Sequence, residues 1–164
     1  MTIPGGFAPG DVLSATDMNL LPAGVRGYAQ VTASQTGIGS ITDLTSLTVT
    51  FTAVANRRYK VTGFCNVQRT AAAPAPAVLL LREGSTVLAA TSADIARLDS
   101  AASPEPGVSF TLTYCNNASV SGSKTWKLSL AGSDADATAV QDHVKMIASS
   151  TYPAFILVED IGPL

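Results

Sequence analysis

The sequence predicts an all-β fold, a jelly-roll-like antiparallel β-sandwich of about eight strands with an N-terminal extended arm and one short helix. Two observations predict this fold class. From Gly27 onward apolar and polar residues alternate with a period of two, and turn residues separate the alternating runs at short intervals. An immunoglobulin-like sandwich is the alternative, although the Cys–Trp–Cys order typical of that family is absent.

The first 27 residues differ in composition from the rest of the chain, so they are predicted to form a docking arm, with the β-sandwich domain over residues 28–164. Proline and glycine in the first ten positions exclude a regular element there. Ser14 to Asp17 has the form of a capping box, which predicts a short helix that Pro22 ends. Such a short helix is unstable alone, so its apolar side chains must pack on the domain or on a partner. The predicted docking residues are Phe7, Leu13, Met18, Leu20 and Leu21.

Alternation predicts five clear strands. In the first, Leu47, Val49, Phe51 and Ala53 face one side and three threonines face the other. The other four cover residues 59–63, 108–114, 124–130 and 154–159. Between the first two, Asn56-Arg57-Arg58 is predicted to be a turn.

The last of these strands is apolar on both faces, which predicts a central strand of a sheet or an interface strand. Its predicted core or interface residues are Phe155, Ile156, Leu157 and Val158. Weaker patterns predict four more strands, over residues 28–33, 77–82, 86–91 and 140–147, and Glu83-Gly84-Ser85 predicts a tight hairpin.

The chain carries little charge. Lys and Arg total 10 and Asp and Glu total 12, for a net charge of −2, and only 13% of its residues are charged. This balance argues against a nucleic-acid binder, which would show a basic face. The mean hydropathy of +0.28 is high for an isolated soluble domain. Since no apolar run is long enough to cross a membrane, the composition indicates a component of a protein assembly.

Few residues could carry chemistry. His143 is the single histidine, and its neighbours are typical of a solvated strand edge, so we expect no catalytic residue, no metal site and no cofactor. Trp126 lies on the apolar face of its strand and is predicted to pack in the core; a sugar-stacking platform is the alternative. Cys65 and Cys115 are expected to be free thiols, although one bridge between them stays open.

Three segments carry a resemblance to a known class of protein. The opening of the chain resembles the start of virion proteins of tailed phages. The residues that carry this resemblance are Phe7-x-Pro9-Gly10-Asp11-x-Leu13-x-Ala15-x-Asp17-Met18-Asn19-x-Leu21-Pro22. The end of the chain is similar to the endings of small structural proteins of actinobacterial phages, through the residues Ser149-Ser150-Thr151-x-Pro153-Ala154-Phe155-x-Leu157-Val158-Glu159-Asp160-Ile161-Gly162-Pro163. The segment Asn56-Arg57-x-Tyr59 is similar to the first hairpin of those proteins.

The resemblance implies a non-enzymatic structural component on the virion surface, a capsid decoration or minor tail protein made in the host cytoplasm. It also implies a homo-oligomer, expected to be a trimer, with other virion structural proteins as partners. The arm would dock to such a neighbour; alternatively, it covers an open end of its own sandwich. We expect no nucleic acid and no membrane as partners. The alternative function is a carbohydrate-binding module or adhesin domain that recognises a host-surface glycan.

Overall fold

A computed structural model describes residues 21–38, 40–69, 75–95, 107–132 and 144–164. These residues form ten strands arranged in two antiparallel sheets, and no described residue is helical. The strands are β1 (Gly24–Val31), β2 (Gln35–Ile38), β3 (Thr42–Ala53), β4 (Arg57–Arg69), β5 (Ala75–Glu83), β6 (Thr86–Ile95), β7 (Val108–Cys115), β8 (Gly122–Gly132), β9 (Val144–Ile147) and β10 (Ala154–Pro163).

The order of the strands confirms the predicted fold class. The six-stranded sheet has the order β1-β10-β4-β9-β2, with β7 on the other side of β4, and the four-stranded sheet has the order β3-β8-β5-β6. Without the short strands β2 and β9, the sheets become β1-β10-β4-β7 and β3-β8-β5-β6. This is the arrangement of an eight-stranded jelly roll, in which successive strands cross between two packed sheets except at the β5–β6 hairpin, which lies within one sheet.

The core lies between the sheets, where the alternation of each strand directs its apolar residues. Its centre is aromatic. Trp126 is 1% exposed, and its ring lies 4.9 Å from the ring of Phe51 and 6.0 Å from that of Tyr114. The predicted packing of Trp126 in the core is therefore confirmed. The hydroxyl of buried Tyr59 is satisfied, because it accepts a 2.7 Å hydrogen bond from the backbone N–H of Val54.

Each of the nine predicted strands has a counterpart, the one predicted over residues 140–147 being described from Val144 onward, and the hairpin between β5 and β6 turns at Gly84, which has a φ of 59°. One local expectation was wrong. Arg57 begins β4 instead of lying in the turn, which falls on residues 55 and 56, because Asn56 takes the positive φ of 60° that the reversal needs. The strand β2 was not predicted, since it has only four residues and contains Gly37 at a φ of 79°.

The predicted arm lies mostly outside the described residues. Of its docking residues, Phe7, Leu13, Met18 and Leu20 belong to that part, and so does the predicted short helix up to residue 20. Leu21 is described and exposed. The strand β1 begins at Gly24, so residues 24–27 belong to the six-stranded sheet.

Candidate interaction surfaces

A cleft of about 550 Å³ opens where the arm joins the sandwich, and we call it the arm-root cleft. Its walls come from the segment before β1, the β3–β4 turn and the end of β10. Among the residues that line it are Leu21, Arg26, Val54, Asn56, Arg57 and Pro163. The size is within the range of ligand and peptide sites, and the exposed side chains of Leu21 and Val54 give the cleft an apolar part.

An ion pair in the wall of the cleft holds the root of the arm. Arg57 Nε donates to Asp160 Oδ2 at 2.9 Å, and Arg57 Nη2 donates to Asp160 Oδ1 at 2.7 Å. The same Nη2 donates to the carbonyl of Leu21 at 2.7 Å. Asp160 also accepts a 3.0 Å hydrogen bond from the backbone N–H of Gly162, which lies across a bulge in β10. The pair therefore fastens Leu21 to both β4 and β10.

The outer surface of the six-stranded sheet carries a second feature, which we call the apolar face: Tyr28, Phe64, Phe155 and Leu157. These residues lie on three neighbouring strands, because Phe155 pairs with Phe64 across β10 and β4, and Leu157 pairs with Tyr28 across β10 and β1. The rings of Phe64 and Phe155 stack with centroids 5.7 Å apart, and the ring of Tyr28 lies 6.1 Å from that of Phe155. Tyr28 is 53% exposed, whereas the other three are half-buried.

Uncharged polar residues continue the apolar face across β4 and β7. Thr62 pairs with Thr113, and Phe64 pairs with Thr111, so both rows end in threonine hydroxyls on β7. The next row along the strands holds a carboxylate and an ammonium, Glu159 and Lys60, which lie 3.4 Å apart and neutralise each other. The rows that contain Leu157 and Phe155 thus carry no charge, and in the third row the charges of Glu159 and Lys60 cancel.

The outer surface of the four-stranded sheet is different, and we call it the polar face. It is centred on Asp43, which accepts hydrogen bonds from Lys127 and from Ser129 and forms an ion pair with Arg82 at 3.1 Å. Burial raises the pKa of Asp43, but the hydrogen bonds from Lys127 and Ser129 and the two nearby positive charges outweigh burial, so its pKa is lowered. Around the network, exposed threonines such as Thr48 and Thr50 cover β3, as expected for a face in water.

The structure brings some of the sequence-predicted residues together and separates others. Within β10, Ile156 and Val158 are fully buried in the core, whereas Phe155 and Leu157 belong to the apolar face. The strand lies between β1 and β4 in the middle of the sheet. Leu21 lines the arm-root cleft instead.

The residues considered for chemistry do not form a centre in the described part of the chain. His143 lies outside it. Within it, no group of three or more His, Cys, Asp or Glu side chains could hold a metal ion, and no helix is long and apolar enough to cross a membrane. Cys65 and Cys115 are free thiols on opposite surfaces of the six-stranded sheet. Burial raises the pKa of Cys65 to about 12, whereas Cys115 is exposed on the outer surface.

Sequence analysis missed the ion pair that organises the arm root. Arg57 was assigned to a turn, and Asp160 was the residue after a predicted strand that ended at position 159. The signal that could have pointed to the pair is the rarity of charge in this chain, because a charged residue inside an apolar strand needs a partner of opposite charge.

Comparisons with known proteins show no family to which the chain belongs. No protein-family model matches the chain, and no curated protein matches it. Among solved structures, it is similar to a chain in the structure of infectious bursal disease virus Gt strain, with 15% sequence identity and a TM-score of 0.32. The likeness covers 98% of this chain and 43% of that chain, so the present chain spans less than half of the viral protein.

Proposed function

We propose that this protein is a non-enzymatic structural component on the surface of a tailed-phage virion, a capsid decoration or a minor tail protein. In this role the arm docks to a neighbouring virion protein, and the jelly roll self-associates, with three copies as the expected number. The resemblance of both chain ends to phage structural proteins supports the proposal, as does the low charge. The single histidine also leaves few of the groups that hydrolytic and metal sites need.

The observation that carries the proposal is the attachment of the arm root. A docking arm must transmit load to the domain that it tethers, so its root must be fixed to a stable element. Leu21 is held by Arg57, and Arg57 is held by Asp160 on the central strand β10. The side chains of Arg57 and Asp160 are only 11% and 3% exposed, so water competes little with the ion pair that fixes Arg57 to β10.

The glycan-binding alternative loses the residue on which it depended. A platform for sugar stacking needs an aromatic ring open to solvent, and Trp126 is 1% exposed between the two sheets.

The experiment that tests the proposal is deletion of residues 1–20, which keeps Leu21 and its hydrogen bond to Arg57. We expect the truncated protein to stay folded, with an unchanged thermal transition, but to be lost from purified particles. The full-length double variant Leu13→Asp with Met18→Asp should act like the deletion, because it removes apolar contacts that burial would stabilise. The double variant Thr2→Asp with Asn19→Asp adds the same charge at polar positions and should be incorporated normally.

Two results would overturn the proposed role of the arm. The first is the truncated protein on particles at full occupancy. The second is a truncated protein that no longer folds, since the arm would then close the core of its own sandwich. Absence of the full-length protein from particles would contradict the virion role itself.

A further inference from the structure

We infer that the apolar face of the six-stranded sheet is the surface through which copies of this chain bind one another. This inference rests on the proposed function, because it names the surface for the self-association proposed there. The residues concerned are Tyr28, Phe64, Phe155 and Leu157, with the threonines that continue their rows.

The two outer surfaces of the sandwich give the first argument. On the polar face an ionic network around Asp43 and the threonines of β3 fit contact with water, and Leu80, which pairs with Ser129 on that face, is only 7% exposed. On the apolar face the corresponding central positions hold stacked aromatic rings and a leucine. An antiparallel sheet that faces water on one side carries polar residues on that side, so the apolar face does not follow the pattern of a solvated surface.

The distribution of charge on the apolar face favours a second copy of this chain as the partner. In a symmetric assembly the residues close to the symmetry axis meet the same residues of the other copies, so a charge there meets a like charge. A partner of a different sequence has no such restriction and can supply complementary charges. The apolar face has no charge in its two central rows, and Lys60 and Glu159 beside them are paired within the same copy. Nucleic acid and anionic membranes are disfavoured, because both are bound through clusters of basic residues.

The size of the face is sufficient for a self-association that responds to concentration. Four strands about 4.8 Å apart and about eight residues long at ~3.4 Å per residue span a plane of roughly 500 Å². A standard stable interface buries about 800 Å² on each partner. The face alone is smaller than this, so we expect the association to be weak and the copies to dissociate at low protein concentration.

The test places charge at both ends of one row. Tyr28, Leu157, Thr62 and Thr113 form one row across the four strands, with Tyr28 and Thr113 at its two ends. Both end residues are exposed, so an isolated copy tolerates a carboxylate at either position. In sedimentation equilibrium the wild-type protein should show a mass of two or more chains at 100 μM. The double variant Tyr28→Glu with Thr113→Glu should raise the dissociation constant at least tenfold. Thr48→Glu, a control on the polar face, should leave it unchanged.

Cys115 gives a second measurement on the wild-type protein that needs no substitution. Its thiol is exposed on the outer surface of β7, two residues beyond Thr113, whereas Cys65 is fully buried and its thiolate is disfavoured. A thiol reagent such as DTNB therefore modifies Cys115 first. If copies cover this face, the rate of modification should fall as protein concentration rises through the dissociation constant.

A single-chain mass at 100 μM would overturn the inference, and so would a double variant that associates like the wild type. If the double variant fails to fold, the thiol measurement decides, and a rate independent of protein concentration would overturn the inference. A monomeric protein that is still found on particles would contradict this inference but not the virion role. A protein that associates through this face but is absent from particles would contradict only the virion role.

Discussion

Replacing Asp160 by Asn isolates the charge that holds the arm root. The amide keeps the size of the carboxylate and an oxygen that can still accept the hydrogen bond from Gly162. It removes the negative charge that faces Arg57, whose guanidinium is 11% exposed and has its Nε and Nη2 directed at the carboxylate. The variant therefore leaves a buried positive charge without its counter-ion while changing little in shape.

Breaking one partner of a buried ion pair costs about 3–5 kcal/mol, because the remaining charge is kept from water without compensation. Domains of this size unfold about 2–4 °C lower for each kcal/mol lost. We therefore expect the melting temperature of Asp160→Asn to fall by roughly 6–20 °C. Removing both charges is expected to cost less, because burying an ion pair also costs desolvation energy that apolar side chains do not. The double variant Arg57→Met with Asp160→Leu should therefore recover much of the stability that Asp160→Asn loses.

The assay is urea and thermal unfolding of the isolated protein at pH 7, followed by circular dichroism. Glu159→Gln is the matched control, since Glu159 is the adjacent carboxylate on the same strand but pairs with Lys60 at the surface, where the two side chains are 31% and 40% exposed. An exposed pair of this kind contributes no more than about 1 kcal/mol. If Asp160→Asn loses no more stability than Glu159→Gln, the reasoning about the arm root is wrong.

Two further predictions concern the core. Trp126→Ala should lower the free energy of unfolding by about 3–5 kcal/mol in urea titrations, because the ring fills the centre between the sheets; a loss below 1 kcal/mol would contradict that placement. Gly27→Ala should cost about 1–3 kcal/mol, since the added Cβ would lie 2.1 Å from Cγ1 of Val49. Adding Val49→Ala should make the combined loss smaller than the sum of the two single losses in a double-mutant cycle, and strict additivity would refute the contact.

The fold could be predicted largely from local patterns, because the alternation of β3, β7 and β8 is imposed by one buried and one exposed surface. The strand β2 could not be predicted, because it shows no such alternation. With four residues and a glycine in the left-handed region, it carries too few side chains to show a period. Its pairing with β9 depends on tertiary contacts that local sequence does not record.

The candidate surfaces were harder to predict, since each is assembled from distant parts of the chain. Arg57 and Asp160 are 103 positions apart, and the apolar face joins Tyr28 to residues of β4 and β10. Sequence analysis recognised that residues 155–158 are apolar on both sides and predicted a central or interface strand. It could not assign Phe64 or Tyr28 to the same surface, because only strand order and register decide which outward side chains become neighbours.

The topology also couples the arm to completion of the fold. Within its sheet, β1 has β10 as its hydrogen-bonded neighbour, and β10 in turn pairs with β4. The root of the arm thus depends on residues 154–163, which lie more than 120 positions after it and are synthesised after the other nine strands. The counter-ion of Arg57 comes from the same strand. Until β10 is inserted, Leu21 has no fixed attachment and half of the apolar face is missing. A chain that has not completed its jelly roll therefore lacks both of the surfaces proposed for binding, so we expect any assembly to follow folding.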